Sequence, residues 1–261
     1  MEELMTELKK AEAEKTLENN RVTLQEIEPE DYHYSEMIKT LRTNIQFSGN
    51  DIRTIMFTST LPDEGKSEIC FHLAMSMAQL DKKVLLIDTD IRKSVLAARY
   101  QPEQKINGLS QYLIGQKKMQ EVIYQTQIAN FKMIFAGPYS PNPVELLESG
   151  LFRELINQAK AEYEYIFIDT PPMGSLIDGA VLAQMCDGAV LVIESGAVSY
   201  HFIRKVKEQI EKSGCRILGA VLNKVDVQQN AYYSYGKYSK YGKYSKYGKY
   251  RQYGQYGKTE K

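Results

Sequence analysis

The sequence predicts an α/β fold built on a doubly wound, mostly parallel sheet. Short runs such as VLLID at residues 84–88 and YIFID at residues 165–169 are apolar without alternation, which is typical of strands buried on both faces. Segments with helical spacing separate these runs along the chain. A Gly-Lys-Ser tripeptide at residues 65–67 also follows an apolar run, in the order strand, turn, helix.

Composition and length favour one large domain with appendages. The chain has 261 residues, of which 43% are hydrophobic and 25% are charged, as in ordinary globular proteins. We divide it into a charged segment and linker at 1–30, an α/β domain at 31–230 and a tyrosine-rich tail at 231–261. No run of 18 apolar residues and no signal-peptide core occurs, so we expect a cytoplasmic protein. The three cysteines are far apart in apolar surroundings, which favours buried thiols over a disulfide or a metal site.

The first predicted helix of the domain spans residues 32–47, after the charged segment, which we interpret as a solvated helix and a linker. On this helix Glu36, Lys39 and Arg42 fall at i, i+3 and i+6. Side chains at this spacing project from roughly one side of a helix. Taken alone, the three residues indicate a solvated face with a local ion pair.

The next unit, RTIMFTSTLPDEGKSEIC at residues 53–70, has the order that a phosphate-binding P-loop requires. Gly65 allows close approach of the backbone to an anion, and the amides of the following helical turn point at phosphate oxygens. Lys66 would reach the β- and γ-phosphates, and Ser67 would supply a hydroxyl to Mg²⁺. The predicted nucleotide-binding residues of this loop are Asp63, Glu64, Gly65, Lys66, Ser67 and Glu68.

Two positions of the loop depart from the usual GxxxxGK[ST] pattern. Thr60 stands where a small residue is expected, and Asp63 stands where a second glycine is common. A carboxylate inside a phosphate cradle is unfavourable. We therefore expect the side chain of Asp63 to point to solvent or to lie outside the arc that faces the phosphates.

Two later strands are predicted to end in aspartate beside this loop. The strand at residues 83–88 leads into Asp88, Asp90 and Arg92, at the strand end where open α/β sheets bind ligands. After loops and short helices at 100–130, a strand at 131–135 and a helix at about 151–162, the run at 165–169 delivers Asp169. It has the form of a Walker B strand, whose Asp holds Mg²⁺ directly or through water.

The last predicted strands are 188–193 and 217–223, with a helix at 200–213 between them. Asn223 at the end of the final strand could hydrogen-bond a purine edge or belong to a simple turn. The sequence alone favours neither role.

The tail differs from the rest of the chain in composition and charge. Residues 231–261 carry eight Lys or Arg against one Glu, a charge of +7, which leaves −7 on residues 1–230. Tyrosine recurs at every third position from 235 to 256, a period that fits neither helix nor strand, so we expect a disordered, exposed segment. Its candidate phosphoacceptors are Tyr232, Tyr233, Tyr235, Tyr238, Tyr241, Tyr244, Tyr247, Tyr250, Tyr253 and Tyr256.

Three functions suit such a tail: binding single-stranded nucleic acid, adhesion or condensation, and accepting phosphate. Phosphorylation of all ten tyrosines would change the charge of the tail from +7 to roughly −8 to −13. Attraction to an acidic body would then become repulsion. Only the third function uses both the predicted nucleotide site and the tail.

Together these motifs resemble the bacterial tyrosine kinases (BY-kinases) of capsule and exopolysaccharide biosynthesis, in the form where the cytoplasmic kinase is a separate polypeptide. The resemblance rests on LPDEGKS at 61–67, LLIDTDIR at 85–92, YIFIDTPP at 165–172 and the tyrosine cluster. It implies a P-loop NTPase-like fold and an ATP- and Mg²⁺-dependent protein-tyrosine autokinase. Partitioning and division-site ATPases share parts of these motifs, so a partitioning-type ATPase with a nucleic-acid-binding tail is the alternative.

The resemblance also implies roles for individual residues. Lys66 would neutralise the β- and γ-phosphates, and Ser67, Asp90 and Asp169 would hold Mg²⁺. Asp88 would accept the proton of the tyrosine hydroxyl, although Asp88 and Asp90 could exchange roles. Arg92 belongs to the same catalytic motif.

For assembly, the resemblance implies a ring in which the tail of one subunit enters the active site of its neighbour. The family's ExxRxxR oligomerisation motif corresponds here to Glu36, Lys39 and Arg42, with lysine in place of the first arginine. An ammonium does not replace a planar guanidinium conservatively. The other implied partners are a membrane chain-length regulator with an activating cytoplasmic segment, which would recruit the chain to the inner face of the membrane, and a cognate tyrosine phosphatase. Nucleic acid is not expected as a partner of such a kinase.

Overall fold

The computed structural model describes residues 20–25, 27, 31–174 and 178–225. Eight strands form one sheet in the order β1-β4-β5-β3-β6-β2-β7-β8, and the pairing is parallel except between β4 and β5. The strands are β1 Arg21–Val22, β2 Thr54–Ser59, β3 Val84–Asp88, β4 Tyr124–Thr126, β5 Phe131–Ile134, β6 Tyr165–Asp169, β7 Gly188–Glu194 and β8 Ile217–Asn223. The predicted doubly wound, mostly parallel sheet is confirmed.

Helices cover both faces of this sheet. They are α1 Tyr32–Gln46, α2 Lys66–Ala78, α3 Leu96–Tyr100, α4 Leu109–Leu113, α5 Pro143–Leu147, α6 Gly150–Glu162, α7 Asp178–Ala183 and α8 Tyr200–Lys212, with a 3₁₀ turn at Met119–Glu121. Local signals start several of them. The Asp31 side chain accepts a hydrogen bond from His33 N at the start of α1, and Ser149 Oγ accepts one from Phe152 N at the start of α6.

The core has two parts, one on each face of the sheet. Along β2, Ile55 and Phe57 pack in the cluster that includes α2, whereas Met56 packs in the cluster that includes α6. All six residues of β2 are buried. Burial on both faces explains why these strands are apolar without alternation.

The edge of the sheet beyond β5 differs from the prediction. Residues 1–30 were interpreted as a solvated helix and a linker, but Arg21–Val22 pair in parallel with β4, and Val22 and Leu24 are buried. The β4 strand lies in a region predicted to hold only loops and short helices. Strands of two and three residues carry no readable periodicity, so their formation depends on pairing with distant segments.

The winding of the sheet brings the predicted chemistry to one edge. Because β6 pairs with both β2 and β3, the carboxyl ends of these three strands lie side by side, and Asp88 is the register partner of Asp169. None of α1 to α8 combines the length and apolar composition that a membrane-spanning helix requires. The predicted disorder of the tail and its candidate phosphoacceptors lie outside the described residues.

Candidate active site

The P-loop joins β2 to α2 and has the backbone geometry of an anion cradle. Gly65 is the N-cap of α2 with φ +85°, and it provides no side-chain hydrogen bond to the first turn of the helix. A Cβ at this position would lie 2.1 Å from Asn223 Nδ2, so another residue here would have to displace that amide as well as adopt positive φ. The amides at the start of α2 therefore meet no capping side chain and can bind an anion.

Glu64 braces this loop from inside the protein. Its carboxylate is buried; Oε2 accepts hydrogen bonds from Thr60 N at 2.6 Å and Leu61 N at 2.7 Å, and Oε1 accepts one from Glu194 N at 3.0 Å. The hydroxyl of Thr60 also donates to Oε2, at 2.7 Å. Thr60, which departs from the usual pattern, thus belongs to the brace. The Glu64 side chain is structural, and only its backbone remains available to a nucleotide.

Asp63 lies at an exposed position of the loop with φ +64°. Left-handed backbone is unfavourable for most side chains and is tolerated best by Gly, Asn and Asp. Asp63 thus meets the backbone demand of this turn without being glycine. The residue is exposed, and the direction of its carboxylate stays a prediction.

Lys66 and Asp169 form a buried ion pair between the P-loop and the end of β6. Lys66 Nζ donates to Asp169 Oδ1 at 2.5 Å and to Ser67 Oγ at 3.0 Å. The side chains are 8% and 2% exposed, so solvent screens this pair little. Three predicted site residues are therefore in contact at one point.

Asp88 lies next to this pair and is fully buried. Burial, and then the negative charge of Asp169, raise the pKa of Asp88 to about 7. Its Oδ1 accepts a hydrogen bond from Asp90 N at 3.1 Å, and its Oδ2 accepts one from the Ser94 hydroxyl. Burial also raises the pKa of Asp169. A carboxylate whose pKa lies near neutrality is suited to general-base chemistry.

Asp90 and Arg92 complete the motif but face different partners. Asp90 is partly exposed, and its Oδ1 accepts a hydrogen bond from Lys93 N at 2.9 Å. Arg92 binds Asp178 in a bidentate pair, with Nε to Oδ2 at 2.8 Å and Nη2 to Oδ1 at 3.1 Å. Asp178, the first residue of α7, is fully buried. These hydrogen bonds raise the pKa of Arg92 above its ordinary value.

Asp178 was not predicted as a site residue, because no local pattern distinguishes it from other acidic helix starts. The two remaining predicted nucleotide-binding side chains have partners within the protein. Asn223 Nδ2 donates to Glu64 O at 2.9 Å, and Glu68 pairs with Arg99 at 2.7 Å. In this structure Asn223 therefore holds the P-loop.

The predicted oligomerisation residues on α1 separate into two groups. Lys39 and Glu36 form an exposed ion pair at 2.7 Å. Arg42 Nη1 instead donates to Ser76 O at 3.0 Å and to Ser76 Oγ at 2.9 Å, so it joins α1 to α2. Only Glu36 and Lys39 are presented outward as the helical spacing predicted.

The oxygen donors fit Mg²⁺ when it binds together with a nucleotide. The described residues contain no group of three His, Cys, Asp or Glu side chains that could hold a metal by themselves. Mg²⁺ commonly takes one or two carboxylates and completes its shell with phosphate oxygens and water. Ser67 and Asp169 are in place for this role, and Asp90 is close enough to Asp169 to affect its pKa.

Comparisons with known proteins identify the family and fold in which this site lies. A family model described as an AAA domain matches residues 52–218. Tyrosine-protein kinase CpsD of Streptococcus agalactiae is 40% identical over 201 residues, covering 77% of this chain and 88% of the relative. The kinase domain of the Escherichia coli tyrosine kinase ETK aligns with a TM-score of 0.70 at 33% identity, over 73% of this chain and 75% of that domain.

A structure of the septum site-determining protein MinD from Pyrococcus horikoshii, complexed with Mg-ADP, is also similar, with a TM-score of 0.59 at 25% identity, over 67% of this chain and 71% of MinD. The fold is thus shared with a septum site-determining protein that binds Mg-ADP. The greater similarity to tyrosine-protein kinases covers the P-loop and both strands that end in aspartate. The chain therefore belongs to the bacterial tyrosine kinases (BY-kinases) of capsule biosynthesis.

Proposed function

We propose that this kinase transfers the γ-phosphate of Mg²⁺-bound ATP to the tyrosines of its own C-terminal segment, in trans between copies, and thereby regulates the synthesis and export of a capsular polysaccharide or exopolysaccharide. The observation that carries the proposal is the buried contact of Lys66 with Asp169 beside Asp88. This arrangement joins a phosphate-neutralising cation, a carboxylate suited to Mg²⁺ and a carboxylate with a pKa near 7.

Lys66 has the first role in this mechanism. Its ammonium leaves Asp169 and pairs with the β- and γ-phosphates, which neutralises the charge that develops during transfer. Asp169 would then be free to hold Mg²⁺ together with Ser67 and Asp90. The bound Mg²⁺ supplies electrostatic stabilisation of the phosphate oxygens.

Asp88 is the proposed proton acceptor. The acceptor tyrosine loses its hydroxyl proton to the carboxylate as its oxygen forms a bond to the γ-phosphorus. At the same time the bond between the γ-phosphorus and the oxygen that bridges it to the β-phosphate breaks, and ADP leaves with that oxygen. Asp90 is the alternative base, because it is partly exposed whereas Asp88 is fully buried. Comparing Asp88→Asn with Asp90→Asn distinguishes the two by the acidic limb of the pH–rate profile.

The proposed partners follow from the family. They are a second copy of the chain in a ring, a membrane chain-length regulator whose cytoplasmic segment activates the kinase and brings it to the membrane, and a tyrosine phosphatase that resets the tail. The exposed Glu36–Lys39 pair and the exposed Met37 on α1 support a contact surface on this helix.

The test is phosphosite mapping on the full chain with ATP, Mg²⁺ and the cytoplasmic segment of the regulator. We expect phosphate on the tail tyrosines and a loss of rate of at least about 100-fold in Lys66→Met, because transfer depends on charge neutralisation. Lys132→Met is a control, since that lysine pairs with Glu162 away from the P-loop. An unmodified tail, or a fully active Lys66→Met variant, would refute the proposal.

The similarity to MinD favours one second candidate, a partitioning-type ATPase whose basic, aromatic tail binds nucleic acid. That function predicts DNA or RNA affinity that falls steeply with salt and is lost on removal of residues 231–261. ATP hydrolysis without tyrosine phosphorylation would favour it.

A further inference from the structure

The loop after β5 presents one large aromatic side chain to solvent at the catalytic edge of the sheet. Tyr139 is 70% exposed. It has no hydrogen bond and no ring contact within the described part of the chain. Its side chain lies near the guanidinium of Arg92.

The loop that carries Tyr139 is fixed by its backbone. Leu109 N donates to Phe135 O at 2.7 Å, and Ser110 N donates to Ala136 O at 3.0 Å, so α4 holds the start of the loop. Gly137, at φ +81°, packs so closely on Gly108 that neither position accepts a Cβ without displacing the other. The backbone that leads to Tyr139 is therefore held in place.

The same loop is tied to the catalytic motif. Ser140 N donates to Ile91 O at 3.2 Å, which places Tyr139 beside the segment that carries Asp90 and Arg92. Tyr139 and Asp90 both lie close enough to Arg92 to add to the rise in its pKa, whose main cause is the pair with Asp178. Arg92 is already held by Asp178, so Tyr139 is not needed to orient it.

The surroundings of Tyr139 fit a basic and aromatic segment. The edge carries four carboxylates, on Asp88, Asp90, Asp169 and Asp178, against the three cations of Lys66, Arg92 and Lys93. The tail has a charge of +7 and alternates tyrosine with lysine and glycine. An exposed ring gains about 0.5–1.5 kcal/mol from stacking on another ring and about 0.5–1 kcal/mol from contact with an ammonium.

We propose that Tyr139 binds the acceptor segment, residues 231–261 of a second copy, by stacking on its tyrosines and lysines, and so helps to select which tyrosine enters the active site. The inference rests on the proposed function, which assigns the tail as acceptor. In an extended segment, tyrosines three residues apart are separated by about 10 Å. A surface that contacts two neighbouring tyrosines of the acceptor, one at the reaction site and one on Tyr139, therefore spans about 10 Å.

The test uses a full-length kinase whose ten tail tyrosines are replaced by serine, so that its own tail does not compete through its rings. A labelled peptide of residues 231–250 is titrated by fluorescence anisotropy with an ATP analogue and Mg²⁺, and its phosphorylation is followed with ATP. We expect Tyr139→Ala to raise the Kd and KM for the peptide by about 3- to 10-fold, as loss of one stacking contact predicts. The kcat and the KM for ATP should not change, and Tyr139→Phe should keep the wild-type values.

Two controls separate this role from a general effect. Tyr200, which is 74% exposed at the start of α8, serves as the matched position, and Tyr200→Ala should leave peptide binding unchanged. A peptide that retains a single tyrosine should bind more weakly, and its affinity should no longer differ between the kinase with Tyr139 intact and the Tyr139→Ala variant. Equal affinity of these two proteins for the full peptide, or a Tyr139→Phe variant as weak as Tyr139→Ala, overturns the proposal.

The outcomes also separate this inference from the proposed function. Peptide binding that depends on Tyr139 without any phosphate transfer would refute the autokinase and keep the binding site. Phosphate transfer that is insensitive to Tyr139→Ala would refute the binding site and keep the autokinase. A peptide that does not bind at all would overturn the inference.

Discussion

Single residues of the P-loop show how departures from a motif are accommodated. Thr60 replaces a small residue, and its hydroxyl and amide both donate to the buried carboxylate of Glu64. Asp63 replaces glycine and adopts the left-handed backbone that the turn requires. Each departure thus has its own structural explanation. Thr60 is explained by its hydrogen bonds to Glu64, and Asp63 is explained by its tolerance of positive φ.

Substitutions at Asp63 separate the effect of its positive φ on stability from the effect of its negative charge on nucleotide binding. Asp63→Val should destabilise the fold by about 1–2 kcal/mol, because β-branched residues are strained at positive φ. Asp63→Asn should keep the left-handed backbone, which Asn tolerates as Asp does, and should change Mg·ATP affinity by no more than about twofold, because an exposed charge is screened at physiological salt. Chemical denaturation and calorimetry measure the two effects. A tenfold gain in affinity for Asp63→Asn would show that the carboxylate acts on the phosphates.

Asp88 gives a prediction about pH. Its pKa is raised from 3.8 to about 7, so the folded protein holds this proton more tightly than the unfolded chain. The buried charge therefore costs stability increasingly as pH rises from about 4 to about 7, and the cost is constant above that range. We expect Asp88→Asn to stabilise the nucleotide-free protein little at pH 4 and by up to about 4 kcal/mol at pH 8.

Urea denaturation at pH 4, 6 and 8 measures this gain. Glu103→Gln is the control, because Glu103 is exposed and follows α3, outside the catalytic motif. A gain for Asp88→Asn that is the same at all three pH values would contradict the raised pKa.

At the scale of elements, α1 illustrates how one helix can serve two surfaces. Its inner side packs Ile38 and Ile45 against the core and sends Arg42 to Ser76 of α2. Its outer side carries the Glu36–Lys39 pair and the exposed ring of Phe47. Residues three apart in sequence therefore differ in role, which the spacing of the ExxKxxR pattern did not reveal.

This division predicts different effects for two neighbouring cations. Arg42→Ala should lower stability by about 1.5–3 kcal/mol, because it removes two hydrogen bonds donated by a charged group. Lys39→Ala should change stability little, because exposed ion pairs contribute about 0–1 kcal/mol, but should reduce particle size if α1 lies in the assembly interface. Thermal melts and light scattering measure both variants. A stable Arg42→Ala protein would contradict the assigned tie between α1 and α2.

At the scale of the whole molecule, the sequence was sufficient for the central strands of the sheet and for the groups at their ends. The buried strands that end in Asp88 and Asp169 were identifiable because continuous apolar runs and a following acidic residue are local features. The winding of a parallel sheet then places such ends together. The contact of Lys66 with Asp169 follows from that rule.

Other features depended on contacts between distant segments. Asp178 pairs with Arg92 across 86 positions, and Asn223 binds the P-loop across 159 positions. Neither the residue type nor the spacing in the sequence predicts such a partner. The pairing of Arg21–Val22 with β4 is likewise decided by the edge of a sheet that forms elsewhere in the chain.

The brace around Glu64 has a consequence for how the protein matures during synthesis. The P-loop is translated early, but two groups near the end of the domain hold it in place. Glu194 N donates to the carboxylate of Glu64, and Asn223 Nδ2 donates to the backbone carbonyl of the same residue. A growing chain therefore carries the Gly-Lys-Ser sequence long before the supports of the loop exist. Competence for nucleotide binding should arise only once β8 has emerged from the ribosome and joined the sheet, just ahead of the tyrosines that the enzyme is proposed to modify.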